Sequence, residues 1–143
     1  MNYTYRTAEA DEQESIFALY RLVMYDSICA IWGWTESWQV DDFATYFNAP
    51  GITLVHHEMT LVGYSHIETS HDQLFIRMLL VHPQYQHQGI GSRLLRTLVE
   101  VAEAQSQCIS LEVFKINHAA KQFYKRHGFK VEGETASSFV MAR

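Results

Sequence analysis

The stretch "VHPQYQHQGIGSRLLRTLVEVAEA", Val81 to Ala104, decides how this chain folds. An apolar run, "LFIRMLLV" (Leu74 to Val81), leads into it and stops at His82 and Pro83. From Ile90 onward the apolar residues Ile90, Leu94, Leu95, Leu98, Val99 and Ala102 recur at helical spacing. Between strand and helix, three glutamines and a histidine surround Gly89 and Gly91. Glycine in a helix interior costs about 1 kcal/mol relative to alanine, so its placement here needs an offsetting gain. The first N–H groups of a helix lack intrahelical acceptors and carry the positive end of its dipole. Without side chains in the way, an anion, usually a phosphate, can reach them. Strand, glycine turn and helix together predict an anion site.

Two nucleotide motifs fail at this turn. A P-loop needs G-x-x-x-x-G-K-[ST], and no such lysine follows Gly91. A dinucleotide fingerprint needs a third glycine where Leu94 stands, and a parallel βαβ unit around it. The strand before the turn instead continues an antiparallel meander. "ITLVHH" (Ile52 to His57) and "LVGYSHIET" (Leu61 to Thr69) flank the short turn "EMT" and read as a hairpin, with Leu74 to Val81 as the next neighbour.

Further out, Asp11 followed by Glu14 resembles a capping box, and Ile16, Leu19, Tyr20 and Val23 predict a helix from about Asp11 to Asp26. "ICAIWGWTESWQ" reads as loop or a short helical piece, followed by a helix over Asp41 to Asn48 that Pro50 and Gly51 end. On the other side, "CISLEVF" (Cys108 to Phe114) is a strand. Asn117 is a good N-cap for "HAAKQFYKRH", and Gly128 a good stop. "FKVEGE" and "SSFVMAR" read as a closing hairpin at the sheet edge. The predicted fold is α/β: a single domain over residues 1–143 with a mixed, mostly antiparallel sheet flanked by helices.

Composition limits the function classes. The chain has 143 residues, room for one domain with a proper core. The first residues, "MNYTYRTAEADEQE", lack a signal-type apolar core, and no apolar run approaches the roughly 20 residues of a membrane span. Cys29 and Cys108 form neither a metal spacing nor a disulfide framework, which fits a cytoplasmic protein. The net charge of −5 argues against nucleic acid. Residues 1–73 hold 11 acids and 2 bases, whereas residues 74–143 hold 5 acids and 9 bases. Such asymmetry suggests one half that meets a cation and another that meets an anion.

The segment "QHQGIG", Gln86 to Gly91, preceded by "LLVHP", resembles the Q/R-x-x-G-x-G/A signature of the GNAT-type N-acetyltransferases. "LEVFKINHAAKQFYKRHGF", Leu111 to Phe129, is similar to that family's second block of strand, asparagine, tyrosine-bearing helix and Gly-Phe. The resemblance implies a GNAT-like acyl-CoA N-acyltransferase fold, acetyl-CoA as cofactor, coenzyme A as product, and a primary amine as acceptor. It implies that the backbone of Gln86, His87, Gln88, Gly89, Ile90, Gly91 and Ser92 holds the pyrophosphate. Leu79, Leu80 and Val81 would pair with the pantetheine arm as with an added strand. Asn117 would touch the same arm, and Tyr124 would protonate the leaving thiolate. Tyrosine suits that role, because its usual pKa of about 10 lies near a thiol's, about 8.5. Arg93, Arg96, Lys121 and Lys125 are candidates for the cofactor's 3′-phosphate or for solvated helix faces.

The general base is less marked. Many relatives carry a glutamate on the strand before the turn, but this chain has Phe75, Ile76 and Arg77 there. Glu112 resembles the glutamate given that role in bacterial ribosomal-protein N-terminal acetylases, with Glu68, His66, His82 or a water chain as alternatives. No metal is expected: "HHEM" is not H-E-x-x-H, and His56 and His57 point to opposite faces of a strand. Trp32 and Trp34 lie where this family builds its acceptor pocket, and their faces suit an ammonium. The expected partner is therefore a small-molecule or peptide amine, bound by a monomer or homodimer, with neither nucleic acid nor membrane. A non-catalytic acyl-CoA sensor of the same fold, or an interaction domain built on the tryptophans, would share parts of this pattern.

Overall fold

β-Branched and aliphatic residues fill the central strands because both faces of the sheet are covered. In this computed structural model, which describes residues 2–143, β2 (Ile52–His57) buries Leu54 and Val55 in succession. Adjacent strand residues face opposite ways. Leu54 accordingly joins a cluster with Ile16, Leu19 and Tyr64, and Val55 joins another with Val62, Ile90 and Leu94. Burying each such side chain stabilises the fold by about 1.5–3 kcal/mol.

The strands, β1 (Thr4–Thr7), β2, β3 (Thr60–Thr69), β4 (Gln73–Val81), β5 (Cys108–Phe114), β6 (Lys130–Glu134) and β7 (Ser138–Ala142), form one sheet in the order β1-β2-β3-β4-β5-β7-β6. Among the described residues, four α-helices accompany it: α1 (Gln13–Ile31), α2 (Glu36–Tyr46), α3 (Ile90–Ala104) and α4 (His118–Arg126). The sheet is mostly antiparallel, with β4 and β5 parallel over Gln73↔Cys108 to Ile76↔Leu111. The expected closing hairpin is present. β7 pairs with β5, and β6 is the edge, its charged side chains and a bulge near Gly133 discouraging further pairing.

Two compact units can be distinguished. The first runs up to His66 and includes Met78–Leu95. It contains β1, α1, α2, β2, most of β3, the end of β4 and the start of α3. The second comprises Ile67–Arg77 and Arg96–Arg143. It buries Leu74, Ile76, Ile109, Leu111, Val113, Tyr124, Phe129 and Met141.

The first unit departs from expectation at four places. β1 was not anticipated, because "TYRT" is short and polar. Backbone pairing from Thr4↔His56 to Thr7↔Thr53 makes it a strand. The cap before α1 lies two residues earlier than Asp11 and Glu14: the Glu9 N–H donates to Glu12 Oε1 at 2.9 Å. α1 also continues past Asp26 to Ile31, burying Ile28, and ends where Gly33 turns left-handed at φ +81°. Finally, α2 begins at Glu36 rather than Asp41 and ends at Tyr46, leaving Pro50 in a 3-10 turn. The aromatic irregularity of "IWGWTESWQ" hid a sharp bend of 119° between the two helices.

Candidate functional site

The turn after β4 is pinned residue by residue. The His82 N–H donates to Val62 O at 2.7 Å, and Tyr85 N–H to His82 O at 2.8 Å. His82 Nδ1 accepts the Gln84 N–H at 3.1 Å. The Gln86 side-chain amide reaches back to donate to Val81 O at 3.1 Å. Backbone then turns left-handed at His87 (φ +64°) and again at Gly89 (φ +84°) before α3 starts. Arg93 N–H donates to Gly89 O at 3.0 Å, the first turn of the helix.

Gly89 is not a packing glycine, since a Cβ there would meet nothing within 4 Å. Its positive φ and the open space beside it are what the position requires. Gly63 is the opposite case and escaped sequence reasoning. A Cβ at Gly63 would stand 2.8 Å from Leu80 O, so this glycine lets β3 approach the end of β4 closely. Its signal was an isolated glycine inside a strand pattern. Beyond the β5-paired stretch, Leu79 and Val81 are half-buried and Leu80 is buried.

The second unit carries the other candidates. Asn117 caps α4 as expected, its Oδ1 accepting the Ala120 N–H at 3.1 Å. Its side-chain amide nitrogen remains the group suited to a ligand carbonyl. Tyr124 is 8% exposed, its ring 5.3 Å from Phe123 and 5.9 Å from Phe129 between centroids. Burial pushes its phenol above the ordinary tyrosine value. A phenol keeps its proton at neutral pH in any case, and this shift makes its transfer to a thiolate less favourable. Glu112 is exposed on β5, opposite Val140. Lys121 lies 4.2 Å from the Phe139 ring centroid.

In the tryptophan segment, Trp34 is already engaged. Its Nε1 donates to Glu36 Oε1 at 2.8 Å, and its ring packs near Phe17, Tyr20 and Tyr25. The Arg21 guanidinium lies 5.7 Å from the Trp34 ring centroid and 5.3 Å from that of Tyr25, and its Nε donates to Glu36 at 2.8 Å. The chain's own arginine thus takes the kind of cation–π place expected for an ammonium. Trp32, at the C-cap of α1, is 65% exposed. Elsewhere, the carboxylates of Glu9, Asp11 and Glu12 gather within 4.8 Å. Arg6 answers that charge with bonds of 2.8 and 2.6 Å to Glu12, whose carboxyl is held down at about 2 chiefly by this pairing.

The candidate residues fall into two sets. Trp32, Trp34, Leu79 to Val81 and Gln86 to Ser92 belong to the first unit, and Glu112, Asn117 and Tyr124 to the second. The turn from Gln86 to Ser92 comes together as one surface feature. No helix among the described residues is long and apolar enough by itself to cross a membrane.

Among the described residues, the fold is a seven-stranded mixed sheet whose fourth strand runs into a glycine turn and a helix. The chain matches the acetyltransferase (GNAT) family over residues 14–129, and it belongs to that family. It is 35% identical over 74 residues to a Bacillus subtilis protein named as a candidate ribosomal protein bS18-alanine N-acetyltransferase, covering 51% of this chain and 49% of that one. It is 28% identical over 88 residues to a spermidine N(1)-acetyltransferase of Thermoplasma acidophilum, covering 60% of this chain and 54% of that one. The chain thus spans about half the length of these relatives. Its fold matches that of the Thermoplasma acidophilum PaiA N-acetyltransferase in complex with coenzyme A, with a TM-score of 0.80, 19% identity and coverage of 100% and 99% of the two chains.

Proposed function

We propose that residues 1–143 act as one N-acetyltransferase domain that moves the acetyl group of acetyl-CoA to a primary amine, preferably a cationic one. The observation that carries this reading is the turn at Gly89. Its φ of +84° and open surroundings leave the start of α3 accessible to an anion, as a pyrophosphate requires. The backbone from Gln86 to Ser92 would hold that group. Leu79, Leu80 and Val81 would pair with the pantetheine amides, and Asn117 has a side-chain amide that could donate to a cofactor carbonyl.

Acetyl-CoA supplies the thioester that the amine attacks. An ammonium with a pKa near 10 must first lose a proton, and Glu112, exposed to water, is the proposed acceptor of it. Tyr124 gives its phenolic proton to the departing sulfur. A second proton leaves the nitrogen as the amide forms, so one proton restores the phenol and one is released to solvent. Trp32 offers an exposed aromatic face for the acceptor, and Trp34, nearby in sequence, is held by its bond to Glu36, which Arg21 also pairs.

Support for a cationic acceptor comes from the acidic balance of residues 1–73 and from the relative named for spermidine. The test is thiol release from acetyl-CoA with a panel of amines at low and high salt. Cationic amines should be the preferred acceptors, and their KM should rise with salt more than that of a neutral amine. Turnover of only neutral or anionic amines overturns the acceptor class. Binding of coenzyme A without thiol release for any amine overturns the enzyme in favour of a sensor.

A further inference from the structure

His87 presents a problem that its neighbours answer. It carries a side chain yet holds φ at +64°, a region that L residues adopt reluctantly. Both flanking glutamines are tied down. On one side the Gln86 amide donates to Val81 O at 3.1 Å. On the other, Gln88 Oε1 accepts a hydrogen bond from the Tyr3 hydroxyl, across 85 positions of sequence. Tyr3 directly precedes β1, and its ring stands 5.7 Å from that of His57. His57 in turn stands 5.8 Å from Tyr85, within the turn itself. Tyr85 meets His82 edge-on at 5.7 Å. A row of rings therefore leads from the start of the chain to the base of the glycine turn, all within the first unit.

We propose that Tyr3 is a positioning residue for the cofactor turn: its hydroxyl, acting through Gln88, holds His87 and Gly89 in the left-handed conformation that opens the start of α3 to the pyrophosphate. This rests on the reading of that turn as the coenzyme A site. A long, exposed glutamine samples many rotamers, and one anchored end narrows them before the ligand arrives. Binding to a turn already ordered requires less ordering at the moment of contact. Tyr3 touches neither the thioester nor the amine in this scheme, so its influence falls on affinity and spares the chemical step.

The test is a double-mutant cycle in the whole chain, read by calorimetric titration with coenzyme A, by steady-state kinetics and by melting without ligand. Tyr3→Phe keeps the ring and loses only the hydroxyl. It should weaken coenzyme A binding about three- to tenfold, the reach of one hydrogen bond. KM for acetyl-CoA should rise in step, with kcat and the ligand-free melting temperature unchanged. Gln88→Leu, at an exposed position, should weaken coenzyme A binding to the same extent, and the double variant should lose no more affinity than either single one. Additive losses, or a lower melting temperature with unchanged affinity, would show a merely structural tyrosine and overturn the proposal. Gly89→Val separates the two layers. If it binds coenzyme A normally, the cofactor reading of the turn itself fails. If it loses binding while Tyr3→Phe binds like the parent, only the role of Tyr3 fails.

Discussion

Where α4 begins, Asn117 folds its side chain back and takes the Ala120 N–H at 3.1 Å; where α3 begins, Gly89 at φ +84° has no side chain to offer. Both helices follow a strand, and both face the same demand, because the first N–H groups of any helix need acceptors. One start supplies an acceptor from its own sequence, and the other exposes backbone to what lies outside. The difference separates stability from binding. A self-capped start contributes to folding whether or not ligand is present, whereas an open start is worth most when an anion fills it.

The largest expected effect tests the open start. Gly89→Val adds a branched side chain to the left-handed position and should abolish the rise in melting temperature that coenzyme A produces through linkage. Gly89→Ala sharpens this, because its Cβ enters open space and probes backbone strain with little blockage. Normal coenzyme A affinity in a folded Gly89→Val protein would break the comparison at its root.

A second expectation concerns the inner face of α4, where Tyr124 follows Asn117 by two helical turns. Tyr124→Phe should lower kcat by about 10–10⁴-fold and leave coenzyme A affinity unchanged, provided the chemical step limits the rate. The same variant has a signature in stability. Burial raises the folded phenol's pKa, so the folded state keeps its proton where the unfolded chain has lost it. That contribution is complete below the unfolded value of about 10 and is lost as pH rises towards the folded one. Alkaline melting curves of Tyr124→Phe should fall less steeply than those of the parent.

The smallest effect belongs to the capped start. Asn117→Ala should reduce stability by about 1 kcal/mol, the usual worth of an N-cap, and lower the ligand-free melting temperature by a few degrees. Its effect on coenzyme A affinity should be smaller than that of Gly89→Val. If the order is reversed, the cap is also a principal cofactor contact, and the two helix starts are less different than their geometry suggests.

The sequence by itself determined most of the second unit and the centre of the first. β5 ran from Cys108 to Phe114 as alternation predicted, Asn117 capped α4, and Gly128 closed it at φ +89°. The glycine turn, the strand before it and the helix after it were also legible. These features depend on residues near one another in the chain, where periodicity and turn chemistry leave a trace. Tertiary structure decided the rest. β1 exists because its backbone pairs with β2, and "TYRT" has no periodicity of its own. α1 extends to Ile31 because Ile28 finds a buried place there. Gly63 is needed because Leu80 O approaches from another strand, and Arg21 lies over Trp34 because a bend brings α2 back to α1. The hold of Tyr3 on Gln88 spans 85 positions. Such contacts leave no local pattern, because each partner alone is an ordinary residue in an ordinary place and acquires its role only when the chain returns.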